Sequence, residues 1–157
     1  MNKEAIAIDG RFLIGKTRGI GHYTNSLIQQ LIRYKPNNKI IVFHDKKIIK
    51  NNFVIFNSNV SFVYVPDVTY PLWEIVLFPI YAYFYKASII HFVGNTGSWL
   101  LPKMLGMKIF VTTHDVYYMK KGNNFPQSNN LKQKLGSLYR RNIIPNLIKR
   151  ADKIFTV

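Results

Sequence analysis

With 157 residues, 48% hydrophobic and 15% aromatic, the chain has the size of one domain and enough apolar mass for a core, which excludes a disordered segment. The absence of cysteine excludes disulfides, thiolate zinc sites and a cysteine nucleophile. A formal net charge of +15, from 22 basic and 7 acidic residues, predicts attraction to a polyanion: nucleic acid, anionic lipid or a phosphate-bearing substrate.

Met1-Asn2-Lys3-Glu4 runs into a predicted strand without the long apolar core of a signal peptide. Ala5-Ile6-Ala7-Ile8 is a short apolar run that stops at Asp9-Gly10, as a buried parallel strand would. The loop 11–19 carries Gly15 and Gly19, with Gly19-Ile20-Gly21 at its exit. Leu27, Ile28, Leu31 and Ile32 then form the stripe of an amphipathic helix, ended by Pro36-Asn37-Asn38. Residues 39–43 form a second strand, ending in His44-Asp45, and Lys46, Lys47 and Lys50 a basic connection. Residues 53–56 fit a short strand or a loop, and residues 60–65 a third strand stopped by Pro66-Asp67.

The stretch 70–86 is strongly apolar and aromatic. Its uninterrupted core, 75–85, is 11 residues and contains Pro79, whereas a membrane span needs roughly 20. Glu74 and Lys86 close it, so a buried or membrane-facing helix fits better. A fourth strand at 88–93 leads to a glycine and polar loop, 94–98, and a short helix or turn at 99–105. A fifth strand at 108–113 ends in His114-Asp115. A polar loop, 120–130, precedes a long basic helix from about 131 to 149, kinked by Pro145, and a last strand at 154–157. A strand with nothing after it suggests a chain cut inside a larger polypeptide. Strands alternating with helices predict a doubly wound parallel α/β sheet.

In such sheets ligands sit beyond the carboxyl ends of the strands, so the loop after the first strand is a natural site wall. Glycines let a ligand approach the backbone there, and the free N–H groups of a helix start favour an anion; a tight turn with no ligand uses the same glycines. The dinucleotide fingerprint is not met, because Thr24 stands where the third glycine or alanine belongs, and Asp45 is the one plausible acidic ribose ligand. A nicotinamide or flavin site is therefore not expected. His114 should project at the same edge as Gly19 and Gly21, where it could meet a hydroxyl or phosphate oxygen. His91, inside an apolar strand, reads as a satisfied core histidine. His44-Asp45 reads as surface, and His22 could face ligand or solvent. Tyr117, Tyr118, Lys120 and Lys121 could stack on a sugar or base, or form an ordinary loop. No His-x₃-His, paired acidic cluster or Gly-x-Ser-x-Gly elbow is visible, so neither a metal nor a serine nucleophile is expected.

Ile6-Ala7-Ile8-Asp9-Gly10-Arg11-Phe12-Leu13 followed by Gly19-Ile20-Gly21-His22-Tyr23-Thr24 resembles the opening of glycosyltransferase family 4 enzymes, the group-1, GT-B type. Leu72-Trp73-Glu74 with Pro79, Ile90-His91, Val111-Thr112-Thr113-His114-Asp115 and residues 150–157 follow in that family's order. The resemblance implies the N-terminal, mainly acceptor-side Rossmann-like domain over 1–157, without the C-terminal donor-binding domain. It implies retaining transfer of a hexose from a nucleotide sugar, GDP-mannose or a UDP-sugar, to a glycan or lipid-linked acceptor in cell-surface polysaccharide synthesis. No further cofactor is implied. Gly19 and Gly21 match the loop that approaches the donor diphosphate, and His114 matches the histidine that contacts the donor sugar near the reacting centre. His22, where the family often has arginine, and Asp115 would face the acceptor. The setting would be cytoplasmic, peripheral at the inner face of an anionic membrane. The chain alone is expected to be inactive, needing its second domain in cis or in trans. Two alternatives stand beside this reading: a non-catalytic binding half with a separate donor-domain partner, and a basic nucleic-acid-binding module, for which no recognised motif is present.

Overall fold

The computed structural model describes residues 4–13, 19–45, 58–115 and 131–157. Expectations for the residues between these spans, including Lys46, Lys47, Lys50, 53–56 and Tyr117 to Lys121, lie outside the described residues. Six parallel strands form one sheet in the order β3-β2-β1-β4-β5-β6. They are β1 (Ala5–Asp9), β2 (Lys39–His44), β3 (Val60–Tyr64), β4 (Ile89–Phe92), β5 (Lys108–Thr113) and β6 (Lys153–Thr156). The chain walks outward from β1 to β3, crosses back, and walks outward again from β4 to β6. The strand order reverses between β1 and β4, paired with Ile6 opposite Ile89 and Ile8 opposite His91.

Alternation along the strands sorts the core into two layers. Ile6, Ile8, Ile40, Val42 and Ile89 face α1 (Gly19–Tyr34), which contributes Ile28 with Leu27 and Leu31. Ala7, Ile41, Phe43, Ile90, Phe92, Ile109 and Val111 face the other way. That layer is closed by a helical run made of α2 (Tyr70–Leu72), a π-helical turn (Trp73–Leu77) and α3 (Phe78–Phe84), and by Leu147 of α5 (Leu131–Arg150). The inner face of the aromatic stretch is thus core packing: Trp73 stacks on Phe78 at 5.5 Å, and Phe78 meets Phe43 and Phe92 edge-on, while Tyr83 and Phe84 are exposed. A short helix, α4 (Leu100–Met104), joins β4 to β5. Among the described residues no helix is long and apolar enough to cross a membrane.

Two sequence expectations are corrected. His44 is buried, 5% exposed, with its ring packed edge-on against Phe62 and Tyr64, and is no surface residue. It closes a strand flanked by β1 and β3, and the side chains of Phe62 and Tyr64 on the same face of β3 pack against its ring. Glu74, read as a charged end to the apolar stretch, is 1% exposed, because the π-helical turn directs it into the protein.

Candidate functional site

The ends of β1, β4 and β5 and the first turn of α1 meet at the carboxyl edge. Gly19 is the first residue of α1, with open space where a Cβ would stand, while Gly21, two residues on, is buried. One turn further, Tyr23 joins the helix to the end of β5. Its ring meets the His114 ring edge-on at 5.2 Å, and its hydroxyl shares a 2.9 Å hydrogen bond with Thr112 Oγ1. The helix opening and His114 therefore lie at the same edge of the sheet. His22 is exposed on that first turn, and Asp115 is exposed just past His114.

His114 itself is held by the loop that follows β4. Its Nε2–H donates to the Val93 carbonyl at 2.8 Å, and its backbone N–H donates to Asn95 Oδ1. In the neutral ring this leaves Nδ1 as an acceptor. Asn95 has φ +70°, a conformation that asparagine tolerates better than most residues. There its N–H donates to the Thr112 carbonyl at 3.2 Å and its amide to Asp115 Oδ2 at 3.3 Å. Asn95 thus clips the end of β4 to the end of β5. Gly94 precedes it, and a Cβ there would lie 2.8 Å from the Phe12 ring and 2.9 Å from the Tyr70 hydroxyl.

His91 lies 2% exposed on the α1 side of β4, its Nε2 2.9 Å from Thr112 Oγ1. Burial pushes its pKa down from 6.5 to about 4, so the ring is neutral and the core reading holds. Thr112 sits between His91 and Tyr23; one hydroxyl donates once and accepts twice, so a single residue satisfies both.

A second polar group fills the opposite side of the β1–β4 junction. Asp9 accepts from the Arg11 guanidinium through both oxygens, at 3.1 and 2.9 Å, and from Trp73 Nε1 at 3.0 Å. The guanidinium lies 4.6 Å from the ring centroids of both Tyr70 and Trp73. Beside it, Glu74 accepts from Thr96 at 2.7 Å and from Tyr139 of α5 at 2.8 Å. Burial pushes the Glu74 carboxyl up from 4.5 to about 7, opposed by hydrogen bonds from Thr96, Tyr70 and Tyr139. Burial likewise raises Tyr70 and Tyr139.

Sequence reasoning singled out Gly19, Gly21, His22, His114 and Asp115; Tyr23, Asn95, Thr96 and Thr112, which the structure sets around them, it did not. A lone polar residue at a strand end or helix turn carries no spacing signal. The one cue was the glycine and polar loop 94–98. Among the described residues no cluster of His, Asp and Glu could hold a metal ion.

No family model and no curated relative matches the sequence. Among solved structures, the chain is similar to the Bordetella bronchiseptica enzyme WbmH in complex with NAD+, with a TM-score of 0.54 and 10% identity, over 99% of this chain and 56% of that one. It is similar to the same organism's WbmG in complex with NAD and UDP, at 0.54 and 9%, over 99% and 52%. A third similar structure is UDP-glucose: anthocyanidin 3-O-glucosyltransferase in complex with UDP, at 0.51 and 14%, over 99% and 52%. The chain spans about half the length of these proteins. At such identities the likeness is one of fold: a Rossmann-like, six-stranded parallel sheet.

Proposed function

We propose that this chain is the N-terminal, acceptor-side domain of a retaining glycosyltransferase that uses a nucleotide-sugar donor. One observation carries the reading: the α1 opening at Gly19 and the strand-end His114 are brought to one edge by Tyr23, which touches both His114 and Thr112. A helix start offers N–H groups to a diphosphate, and the His114 ring, fixed through Nε2, turns its other nitrogen toward a sugar hydroxyl. Fold neighbours that carry UDP support a nucleotide-sugar donor. His22 and Asp115, exposed beside these groups, are assigned to the acceptor, a glycan or lipid-linked saccharide. A second domain, in cis or in trans, supplies the rest of the donor site.

A second reading, a nicotinamide-dependent enzyme acting on nucleotide sugars, is favoured by one feature. Asp45 follows β2, where dinucleotide folds place a ribose-binding acid, and its Oδ1 is buried without a hydrogen-bond partner among the described residues. Against it stands the turn after β1. A Cβ at Gly10 would lie 2.3 Å from Val42 Cγ1, so this glycine serves strand packing, and Arg11 folds back over the end of β1 onto Asp9. Titration of the chain with UDP-glucose, GDP-mannose and NAD, followed by amide NMR shifts, separates the two. Shifts at Gly19, His22 and His114 with a nucleotide sugar support the transferase. Shifts at Gly10 and Asp45 with NAD alone overturn it.

The opposite, amino edge supports attachment to an anionic membrane. β2, β5 and β6 open on Lys39, Lys108 and Lys153, and the crossover helices end there on exposed Lys86 and Lys103. Tyr34, Phe84 and Met104 are 67%, 74% and 73% exposed at the same helix ends. Lysines around exposed apolar rings suit a lipid headgroup layer.

A further inference from the structure

Glu74 is a buried carboxylate that the proposed chemistry does not use. A helix packed on a sheet has no need of a charge there, and burying one is costly unless its oxygens are fully hydrogen-bonded. Here each oxygen takes a hydroxyl, Thr96 in the β4–α4 loop on Oε1 and Tyr139 on α5 on Oε2, with Tyr70 one turn earlier beside them. The neighbouring cation, Arg11, is engaged with Asp9 through two hydrogen bonds, so Glu74 is held by neutral donors with the Asp9 charge nearby. Those groups, Asp9 and Arg11 from β1 and its turn, Tyr70 from α2, Thr96 from the loop and Tyr139 from α5, are what face it.

Thr96 is the link to the site. Gly94 and Thr96 bridge each other across Asn95, so anchoring Thr96 sets where Asn95 stands. Asn95 in turn receives the His114 backbone N–H, and the preceding Val93 carbonyl receives the His114 ring. We propose that Glu74 is a positioning residue, whose carboxyl group anchors the β4–α4 loop to the π-helical turn and α5 and thereby sets the placement of His114. The consequence for sugar transfer rests on the role proposed for His114, whereas the positioning itself does not.

A change of state follows from the donor set. Ionised, the carboxylate accepts the hydroxyls aimed at it but carries a buried charge; protonated, it sheds that charge and keeps acceptor capacity beside its own O–H donor. With its pKa raised to about 7, that exchange falls near neutral pH. Opening the loop returns the carboxyl towards solvent, where it titrates at 4.5, so the loop holding His114 should loosen as the pH rises from about 4.5 towards 7.

Amide hydrogen exchange on the full 157-residue chain tests this, read residue by residue and corrected for intrinsic pH dependence. In Glu74→Ala the His114, Asn95 and Thr96 amides should exchange at least about tenfold faster, while Ile6 and Ile41 in the central strands keep their protection. In the wild-type chain the protection of His114 should fall as the pH is raised from about 4.5 towards 7, and Glu74→Gln, similar in size but without a titrating proton, should lose that step. Equal loss of protection at Ile6, Ile41 and His114 in Glu74→Ala would reduce Glu74 to a general structural residue. Identical pH profiles for wild type and Glu74→Gln would overturn the proposal even if the alanine variant failed to fold. No substrate enters the measurement, so the result stands whether or not the chain binds a nucleotide sugar.

Discussion

At the residue scale, the two histidines of β4 and β5 differ in what surrounds them. His91 is enclosed and shares Thr112 with Tyr23, so His91→Ala removes a packed ring and leaves a cavity. It should cost about 2–4 kcal/mol of stability by chemical denaturation, with little change in turnover of the folded fraction. His114 is half-buried, and among the described residues its ring is hydrogen-bonded at Nε2 alone. With the donor domain restored, His114→Ala should keep its fold and lower sugar transfer by about 10- to 1000-fold, the range for a group stabilising charge in the transition state. Wild-type turnover by a folded His114→Ala protein would make this histidine a strand-end residue and nothing more.

At the element scale, the turn after β1 joins two halves of the sheet. Gly10 donates its N–H to the Phe43 carbonyl at 2.7 Å and has no room for a side chain against β2. Gly10→Ala forces β1 and β2 apart at their carboxyl ends and should destabilise the chain by about 1–3 kcal/mol, measured from the denaturation midpoint. Trp73 ties the π-helical turn to the same place through its indole N–H on Asp9. Trp73→Phe keeps an aromatic ring on Phe78 but leaves Asp9 short of a donor. A loss of about 1–3 kcal/mol is expected, the cost of a buried acceptor to a charged group left unpaired. These elements were legible to different degrees. The strands were found within a residue or two, because buried parallel strands are short apolar runs with clear stops. The π-helical turn was not, since Leu72-Trp73-Glu74 reads as ordinary helix until packing shows where Glu74 points.

At the scale of the whole molecule, two buried groups make stability depend on pH in opposite senses. Glu74 titrates at about 7 in the fold against 4.5 when exposed, so its contribution is full below 4.5 and is lost as the pH rises towards 7. His91 titrates at about 4 against 6.5, so its contribution is full above 6.5 and is lost as the pH falls towards 4. Between about 4.5 and 6.5 the two slopes oppose, and these groups should leave stability nearly level. Glu74→Gln removes one of them, and the variant should then gain about 3 kcal/mol as the pH rises from 4 to 6.5, seen in denaturation midpoints across that range. A second whole-molecule prediction concerns the basic amino edge. The chain should bind anionic vesicles in a salt-sensitive way, and Lys86→Glu with Lys103→Glu should weaken that binding, at roughly 1 kcal/mol for each cation removed. Equal partitioning onto neutral and anionic vesicles would remove the electrostatic contribution.

The class of fold was determined by the sequence alone, because the periodicity of apolar residues sets which segments are strands and which are helices. The edge on which the candidate residues stand was legible too, since Asp9, His91 and His114 all stand at or near the ends of apolar runs. The identity of the site's supporting residues was decided only by the tertiary structure. Tyr23 and Thr112 are 89 residues apart, Trp73 and Asp9 64, and Tyr139 and Glu74 65. Hydrogen bonds over such separations leave no local pattern in a chain, because each partner is placed by a different strand or helix. Likewise the +15 charge was plain from composition, yet its concentration of strand-opening lysines at the edge opposite the site follows from the parallel topology. Parallel strands begin on one edge and end on the other, and that geometry separates the basic edge from the candidate site.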